Sequence, residues 1–377
     1  MNILISGDFV IADEYANNEL IDQHVVDLFQ QADFRIVNLE APLTANEPKN
    51  KILKTGPHLR MSENTILSYL KQLKVNAVTL ANNHILDYGA KGLNDTFELL
   101  DKNKINYVGA GSNLSEAAKH LTLEKEGLRI AILNFCENEW SIAKPDSSGA
   151  NPLNIIDNTN QIRIAKATHD KVVCIIHGGH EYYHLPSPRM QKQYRFYADN
   201  GADAIVGHHT HCIGGYEIYN DVPIIYSLGN FLFTMTSKSE CSYTGLVLQL
   251  QLKVHSPISF ELFPVKQSTK SFFTTLIEKE EKHNIEQDIL ALNKIIADES
   301  TLKLKWEEFI LLRSRSYLNY LSPAFGIKNR YIQFILNYFR FNRFLLTKNS
   351  LKFFLNLMRC ESHADLTKEI LSRKLNS

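Results

Sequence analysis

Residues 203–215 read DAIVGHHTHCIGG, and they pack His208, His209 and His211 into four positions directly behind an apolar run. The run AIVG has the length and β-branched content of a buried strand. Histidines at its end therefore sit where a strand hands over to a loop. In open α/β sheets those carboxyl ends are where chemistry gathers, because the sheet is rigid while the loops beyond it converge. The stretch thus poses a test for the rest of the chain: whether other strands end in the same way.

Four of them do. NILIS is followed by Gly7-Asp8, FRIVNL by Glu40, and NAVTL by Ala81-Asn82-Asn83-His84 with Asp87 behind it; VVCIIH ends on His177, with His180 and Glu181 close after. Each has a plain reading on its own. Asp8 and Asn83 suit turns or caps, and His177 suits a hydrogen-bonded core residue. Together they favour another reading, since burying many polar groups at one sheet edge is costly unless something satisfies them. A divalent cation satisfies carboxylates and imidazoles at once. The His209-Thr210-His211 spacing lets two imidazoles of an extended segment point the same way.

Around these ends the chain alternates strand-like and helix-like patterns. Further strands are expected in INYVGA, LRIAILNF, VPIIYSL, GLVLQLQLKV and ISFELFPV. Helices are expected in ELIDQHVVDLFQQA, ENTILSYLKQLK, KGLNDTFELLDKNK, TNQIRIAKATHD and PRMQKQYRFYADNG. This is an α/β layout. From about Ser271 the pattern turns to helices rich in Lys, Arg, Phe, Tyr and Leu, so the expected division is 1–270 and 271–377.

Lys and Arg number 41 against 41 Asp and Glu, which removes any simple argument for nucleic acid or an anionic surface as the main partner. That balance hides a split: from Thr301 onward there are 14 basic and 5 acidic residues. The tail also carries Trp306, Phe309, Tyr317, Tyr320, Phe334, Tyr338, Phe339, Phe341, Phe344, Phe353 and Phe354. Helices packed back on the sheet domain, contact with an anionic membrane surface, and docking of an acidic polymer or partner all suit this composition. The opening MNILISGDFV shows no signal-peptide pattern, and YIQFILNYFRFNRFLL is too broken by polar residues to span a bilayer, so a cytoplasmic protein, at most peripheral to the membrane, is expected. The five widely spaced cysteines, never in a CxxC, suggest neither a disulfide framework nor a thiolate zinc site. The phosphate-cradling GxGxxG and GxxxxGK[ST] and the G-x-S-x-G nucleophile turn are absent.

The blocks GDF, VNLEAPL, GPHLR, VTLANNHILDYGAKGLNDTFELL, INYVGAGSNLSEA, IIHGGHEYYHLPSP and GADAIVGHHTHCIGGYEIYNDVPIIYSLGNFLF, in this order, resemble the capsule-synthesis CapA family linked to poly-γ-glutamate production. The resemblance covers roughly residues 1 to 250 and stops before the helical tail. That family is similar in fold to calcineurin-like metallophosphoesterases, which implies a four-layer αββα sandwich with, here, a C-terminal all-helical extension. It also implies a two-ion site. On that basis Asp8 is the first carboxylate ligand, Glu40 the bridging one, Asn83 the amide ligand, His177 the lone histidine ligand, and His209 with His211 the paired one. His84 becomes the group acting on the leaving group, while His208 is left beside the ligands. Val10 stands where such sites usually have a histidine, so Glu181 or His180 is the expected substitute.

A donor set of carboxylate, amide and imidazole suits Mn, Fe or Zn. Asp87 reads equally as the partner that orients His84 and as a helix N-cap. Tyr182, Tyr183 and His184 are expected to line the pocket, and Asn230 either touches substrate or makes a turn. Two functions remain open. One is a metal-dependent hydrolase acting on a phosphoester or acyl/amide bond of an anionic cell-envelope precursor or polymer. The other is a non-catalytic assembly or polymer-binding component of a capsule or poly-γ-glutamate system.

Overall fold

Strands buried on both faces send alternate apolar residues into different cores, which gives this chain three cores, and three cores require four layers. In a computed structural model, residues 1–45, 47–321, 330–338, 346–359 and 361–376 are described. The strands in the first half are β1 (Asn2–Val10), β2 (Phe34–Leu39), β3 (Ala77–Thr79), β4 (Asn106–Val108), β5 (Ala110–Gly111), β6 (Leu121–Lys125), β7 (Leu128–Cys136) and β8 (Gly149–Ala150). Those that follow are β9 (Lys171–His177), β10 (Ala204–His208), β11 (Tyr216–Tyr219), β12 (Val222–Ile225), β13 (Asn230–Phe233), β14 (Thr244–Gln251), β15 (Ser259–Gln267) and β16 (Thr274–Leu276).

One sheet runs β16-β15-β14-β1-β2-β3-β4, with β13 also paired to β1; the other runs β11-β12-β10-β9-β7-β6. Ile3, Ile5 and Ile36 of the first sheet meet Ile130, Ile132, Val173, Ile175 and Val206 of the second, which fills the space between them. The alternate residues turn outward. Leu4, Val37 and Val78 pack with Val25, Phe29, Ile66, Leu70 and Leu93 from the helices α1 (Gln23–Gln30), α2 (Glu63–Gln72) and α3 (Gly89–Lys102). On the far side Cys174, Ile176 and Ile205 pack with Ile162, Tyr194 and Tyr197. These last come from α5 (Ile155–Lys166) and α6 (Pro188–Asp199), which follow the single-turn α4 (Leu114–Ala117). The expected αββα sandwich is what forms.

The strands β1 to β4 are mutually parallel, as are β7, β9, β10 and β12, so their carboxyl ends share edges. Parallel strands buried on both faces read as continuous apolar runs, as VVCII before His177 does. The same two-faced burial hides from the sequence which face is the inner one.

The compact unit extends to Lys303, past the expected division near residue 270. Strand pairing, two hydrogen bonds and an apolar face account for this. Strand β16 pairs with β15, while the helix α7 (Lys279–Ala297) contributes Ile289 to the inter-sheet core and Ile296 to the outer one. Asn293 Oδ1 accepts from Tyr216 N at 2.6 Å, and Gln191 Nε2 donates to Ile296 O at 2.8 Å. Composition groups α7 with the tail because composition alone does not say what a helix packs on.

Among its described residues the second unit, residues 304–377, holds most of α8 (Glu299–Tyr320), then α9 (Arg330–Tyr338), α10 (Lys348–Arg359) and α11 (Glu361–Asn376). Tyr317, Phe334, Tyr338 and Phe353 are more than half exposed. Phe339, Phe341, Phe344 and Cys360 lie outside the described residues. Among the described residues no helix is long and apolar enough to cross a membrane.

Candidate metal centre

Strand register lines up the polar residues before any loop is considered. In the first sheet Asp8 stands opposite Asn230 on one side and Asn38 on the other, and Asn38 stands opposite Thr79. In the second, His177 stands between Cys136 and His208. By alternation His177 shares its face with Val173 and Ile175, and His208 with Ala204 and Val206, so both look into the space between the sheets.

Asp8 would look the wrong way in a regular strand, because Ile3 and Ile5 hold the inner face. A bulge between Ser6 and Asp8 against β2 resets the alternation; Phe9 then turns outward and Asp8 inward. Gly7 makes the bulge possible. A Cβ there would lie 2.0 Å from Gly229 O, too close for any side chain.

Two groups of potential ligands result, each with its donor atoms within 4.8 Å of one another: Asp8, Glu40 and His211, and Glu40, His177 and His209. Glu40 belongs to both. Asn83 Oδ1 lies 3.1 Å from His177 Nε2, and that nitrogen lies 3.1 Å from His209 Nδ1, so the amide extends the second group. All six residues expected as ligands are therefore brought together. Glu181 and His180 are in neither group; Glu181 is exposed, and its charge acts on Glu40 from a distance. Val10 is buried in the outer core, so the first group has three members.

The electrostatics of the centre are those of charges out of water. Burial and then the neighbouring Asp8 charge push the Glu40 carboxyl well above the usual range. Burial also acts to raise Asp8, but contacts with His208 and His211 and the charge of His177 outweigh it and hold Asp8 well below its usual value. Burial favours a neutral His211, yet Glu40 and Asp8 together raise it to about 10. Among the described residues neither Glu40 oxygen has a hydrogen-bond partner, although both are fully buried. An unpartnered buried carboxylate is among the costliest groups a fold can hold. Carboxylate, amide and imidazole donors converging on it fit a divalent cation, and a bound cation reverses the penalty.

Backbone strain marks the same place. His209 and His211 hold φ of 89° and 56°, left-handed values that cost a non-glycine residue about 1–3 kcal/mol each. His208, with no hydrogen bond to either ring nitrogen among the described residues, lies 3.5 Å from Asp8 Oδ1 and outside both ligand groups.

Beside the centre, His84 Nδ1 meets Asp87 Oδ2 at 2.7 Å. Asp87 also accepts from Leu59 N at 2.6 Å and from Lys54 Nζ. Helix α3 is capped at Tyr88 without a side-chain bond, so Asp87 orients His84 and does not cap the helix. Burial, opposed by Asp87 and assisted by Lys54, holds His84 below its ordinary value. Tyr182, 38% exposed, sets its ring 6.1 Å from that of His211, as a wall residue would. Asn230, read in the sequence as touching substrate or making a turn, has partners on the protein at both ends of its amide. Its Oδ1 lies 2.9 Å from His211 Nδ1 and its Nδ2 donates to Ser242 O at 2.9 Å, so both ends of the amide are committed to protein.

Two residues of this neighbourhood escape a reading of the sequence. Asn38 Nδ2 donates to Asp8 Oδ1 at 2.7 Å and lies 3.2 Å from His177 Nδ1, fixing a ligand from each group. Its signal is present: it is the uncharged polar residue in FRIVNL, two before Glu40. Lys54 gives none, since a loop lysine ordinarily reads as solvated, yet only 3% of its side chain is exposed.

Burial, and secondarily the charge of His211, pushes His209 down to about 3. An unfolded histidine titrates near 6.5, so the unfolded chain takes up this proton first. The stability gained by keeping His209 neutral is in place above about 6.5 and is lost as pH falls toward 3, at up to about 1.4 kcal/mol per pH unit. Denaturant titrations of chelator-treated protein should show wild type losing stability across that window more steeply than His209→Gln. Matching slopes would remove His209 from the account.

A family model described as bacterial capsule synthesis protein PGA_cap matches residues 3–235. The PGA biosynthesis protein CapA of Bacillus subtilis is 34% identical over 67% of this chain and 66% of its own length. The capsule biosynthesis protein CapA of Bacillus anthracis is 34% identical over 57% and 54%. A probable polyglutamine synthesis accessory protein of Mycobacterium tuberculosis is 28% identical over 52% and 55%. The chain thus spans between about half and two-thirds of these relatives. Among solved structures, a hypothetical protein from Thermus thermophilus aligns with 71% of this chain and all of its own at TM-score 0.47 and 16% identity. A 5'-nucleotidase from Candida albicans aligns with 83% of this chain and 58% of its own at TM-score 0.41 and 12% identity.

Proposed function

Because the chain belongs to the bacterial capsule synthesis protein PGA_cap family, we propose that it serves capsule or poly-γ-glutamate biosynthesis as a metal-dependent hydrolase. Its substrate is a phosphoester or an acyl/amide bond in an anionic precursor or polymer. The observation that carries this reading is Glu40, whose buried and unpartnered carboxylate is common to two groups of ligands.

Asp8, Glu40 and His211 would hold one ion, and Glu40, His177, His209 and Asn83 the other. Divalent ions there supply Lewis acidity toward a phosphoryl or acyl oxygen and acidify a coordinated water. The protein's own part is positional. Asn38 and Asn230 fix Asp8, His177 and His211 before substrate arrives, so little reorganisation is left for the reaction. Asp87 keeps His84 Nδ1 engaged, which leaves Nε2 to hand a proton to the departing group. An imidazolium whose pKa is held low gives up that proton readily. The net positive, aromatic tail suits an anionic polymer or surface as partner.

One observation favours the non-catalytic alternative: Val10, buried in the outer core, leaves the first group a ligand short. The two readings part on a simple assay. Full-length protein should carry divalent metal by elemental analysis and hydrolyse a generic aryl phosphate only when loaded with Mn2+, Fe2+ or Zn2+, with chelation stopping turnover. Metal bound without turnover under any of the three ions would leave the assembly role standing.

A further inference from the structure

The cysteines look unrelated in the sequence, but the fold gathers two of them with a histidine. His184, Cys212 and Cys241 present a ring nitrogen and two sulfurs within 4.8 Å of one another. They come from three different loops. His184 follows β9, Cys212 lies in the His209–His211 loop after β10, and Cys241 sits in a short 3-10 turn, Glu240–Tyr243, after β13. None of them belongs to the two groups that share Glu40.

Their surroundings are those of metal ligands. His184 Nδ1 lies 2.7 Å from Ile213 O, a contact that requires the proton on Nδ1 and leaves Nε2 as a lone-pair donor. A ligating histidine almost always gives its other nitrogen's proton to a carbonyl or carboxylate in this way. Both sulfurs lie near hydroxyls, Cys241 Sγ 3.0 Å from Ser239 Oγ and Cys212 Sγ 3.6 Å from Thr210 Oγ1. The Ser239 contact favours thiolate at Cys241, the form that binds metal.

We propose that His184 Nε2, Cys212 Sγ and Cys241 Sγ form a separate thiolate-rich cation site, selective for Zn2+, that staples the three loops bordering the Glu40 centre. Two sulfurs and an imidazole choose soft or borderline ions, whereas the Glu40 groups, with oxygen and nitrogen donors only, do not discriminate in that direction. With zinc–sulfur bonds of about 2.3 Å, a tetrahedral ion needs its sulfurs about 3.8 Å apart, which the loops reach by closing about 1 Å or less. The three protein ligands leave a fourth position for water or an incoming donor. The site stands on its own geometry, whether or not the neighbouring centre hydrolyses anything.

Cobalt spectroscopy distinguishes the two centres, because thiolate-to-Co2+ charge transfer needs sulfur and the Glu40 groups have none. Reduced, chelator-stripped full-length protein titrated with Co2+ should develop a near-ultraviolet thiolate band, and added Zn2+ should abolish it. Cys212→Ser/Cys241→Ser should lack the band and bind one fewer Zn2+, while Glu40→Ala should keep it. Should the double variant fail to fold, Cys241→Ser alone, at a partly exposed thiol, should retain about half the intensity, as expected for one thiolate of two. No band in the wild type, or an undiminished band in the folded Cys variants, overturns the proposal.

Discussion

Glu40→Ala should leave the protein without its divalent metal at the Asp8–Glu40–His177–His209–His211 centre and reduce metal-dependent turnover on the order of 10³-fold or more. The reason is its position. Each of the other ligands belongs to one group, but Glu40 belongs to both, so its loss weakens two sites at once. His208→Ala is the matched control, since His208 is equally buried and lies beside Asp8 yet in neither group; it should keep most of the metal.

Stability should move in opposite directions in the two states. In chelated protein, Glu40→Gln removes a buried carboxyl with no hydrogen-bond partner and should raise the melting temperature. With metal at a hundredfold excess over its dissociation constant, the wild type gains about 2.7 kcal/mol that the variant cannot. Thermal melts with and without chelator, alongside elemental analysis, read both effects. Equal metal loss in Glu40→Ala and His208→Ala would mean that the ligands have been assigned to the wrong residues.

The second large effect is expected at His84. His84→Ala should retain its metal while kcat for an aryl phosphate falls by about 10²–10⁴, the usual contribution of a positioned proton donor. Retained metal separates loss of proton transfer from loss of the centre. Because the Lys54 charge helps hold His84 below its ordinary value, Lys54→Met should shift the alkaline limb of the kcat profile, where the donor loses its proton, to higher pH. A His84→Ala enzyme with unchanged kcat would end the assignment of His84 as the donor.

How far these residues could be read beforehand depends on what each signals locally. His177 and His208 terminate apolar runs, and a strand's period of two fixes which neighbours share their face. Glu40 and Asn83 stand just past strand ends in the same way. Asn38 was legible in kind, as a polar residue inside FRIVNL, but not in its target, because pairing with Asp8 is set by strand register. Lys54 was not legible at all; a lysine becomes buried only when a folded loop closes over it and supplies a carboxylate such as Asp87. The division near residue 270 was misplaced for a related reason. An amphipathic stripe shows that a helix packs, without showing on what.

Local sequence carries the alternation of strands and helices, the polar ends of the strands, and the donor types that a cation would meet. These follow from local periodicity and side-chain chemistry, which the chain carries wherever it goes. The inward face of Asp8 arises on folding, where a bulge at Gly7 turns it over because Gly229 presses against that backbone. Folding also decided that Glu40 serves two groups and that Cys212 and Cys241, 29 positions apart, come together with His184. Those outcomes depend on distances between segments remote in sequence, and such distances exist only once both sheets have packed.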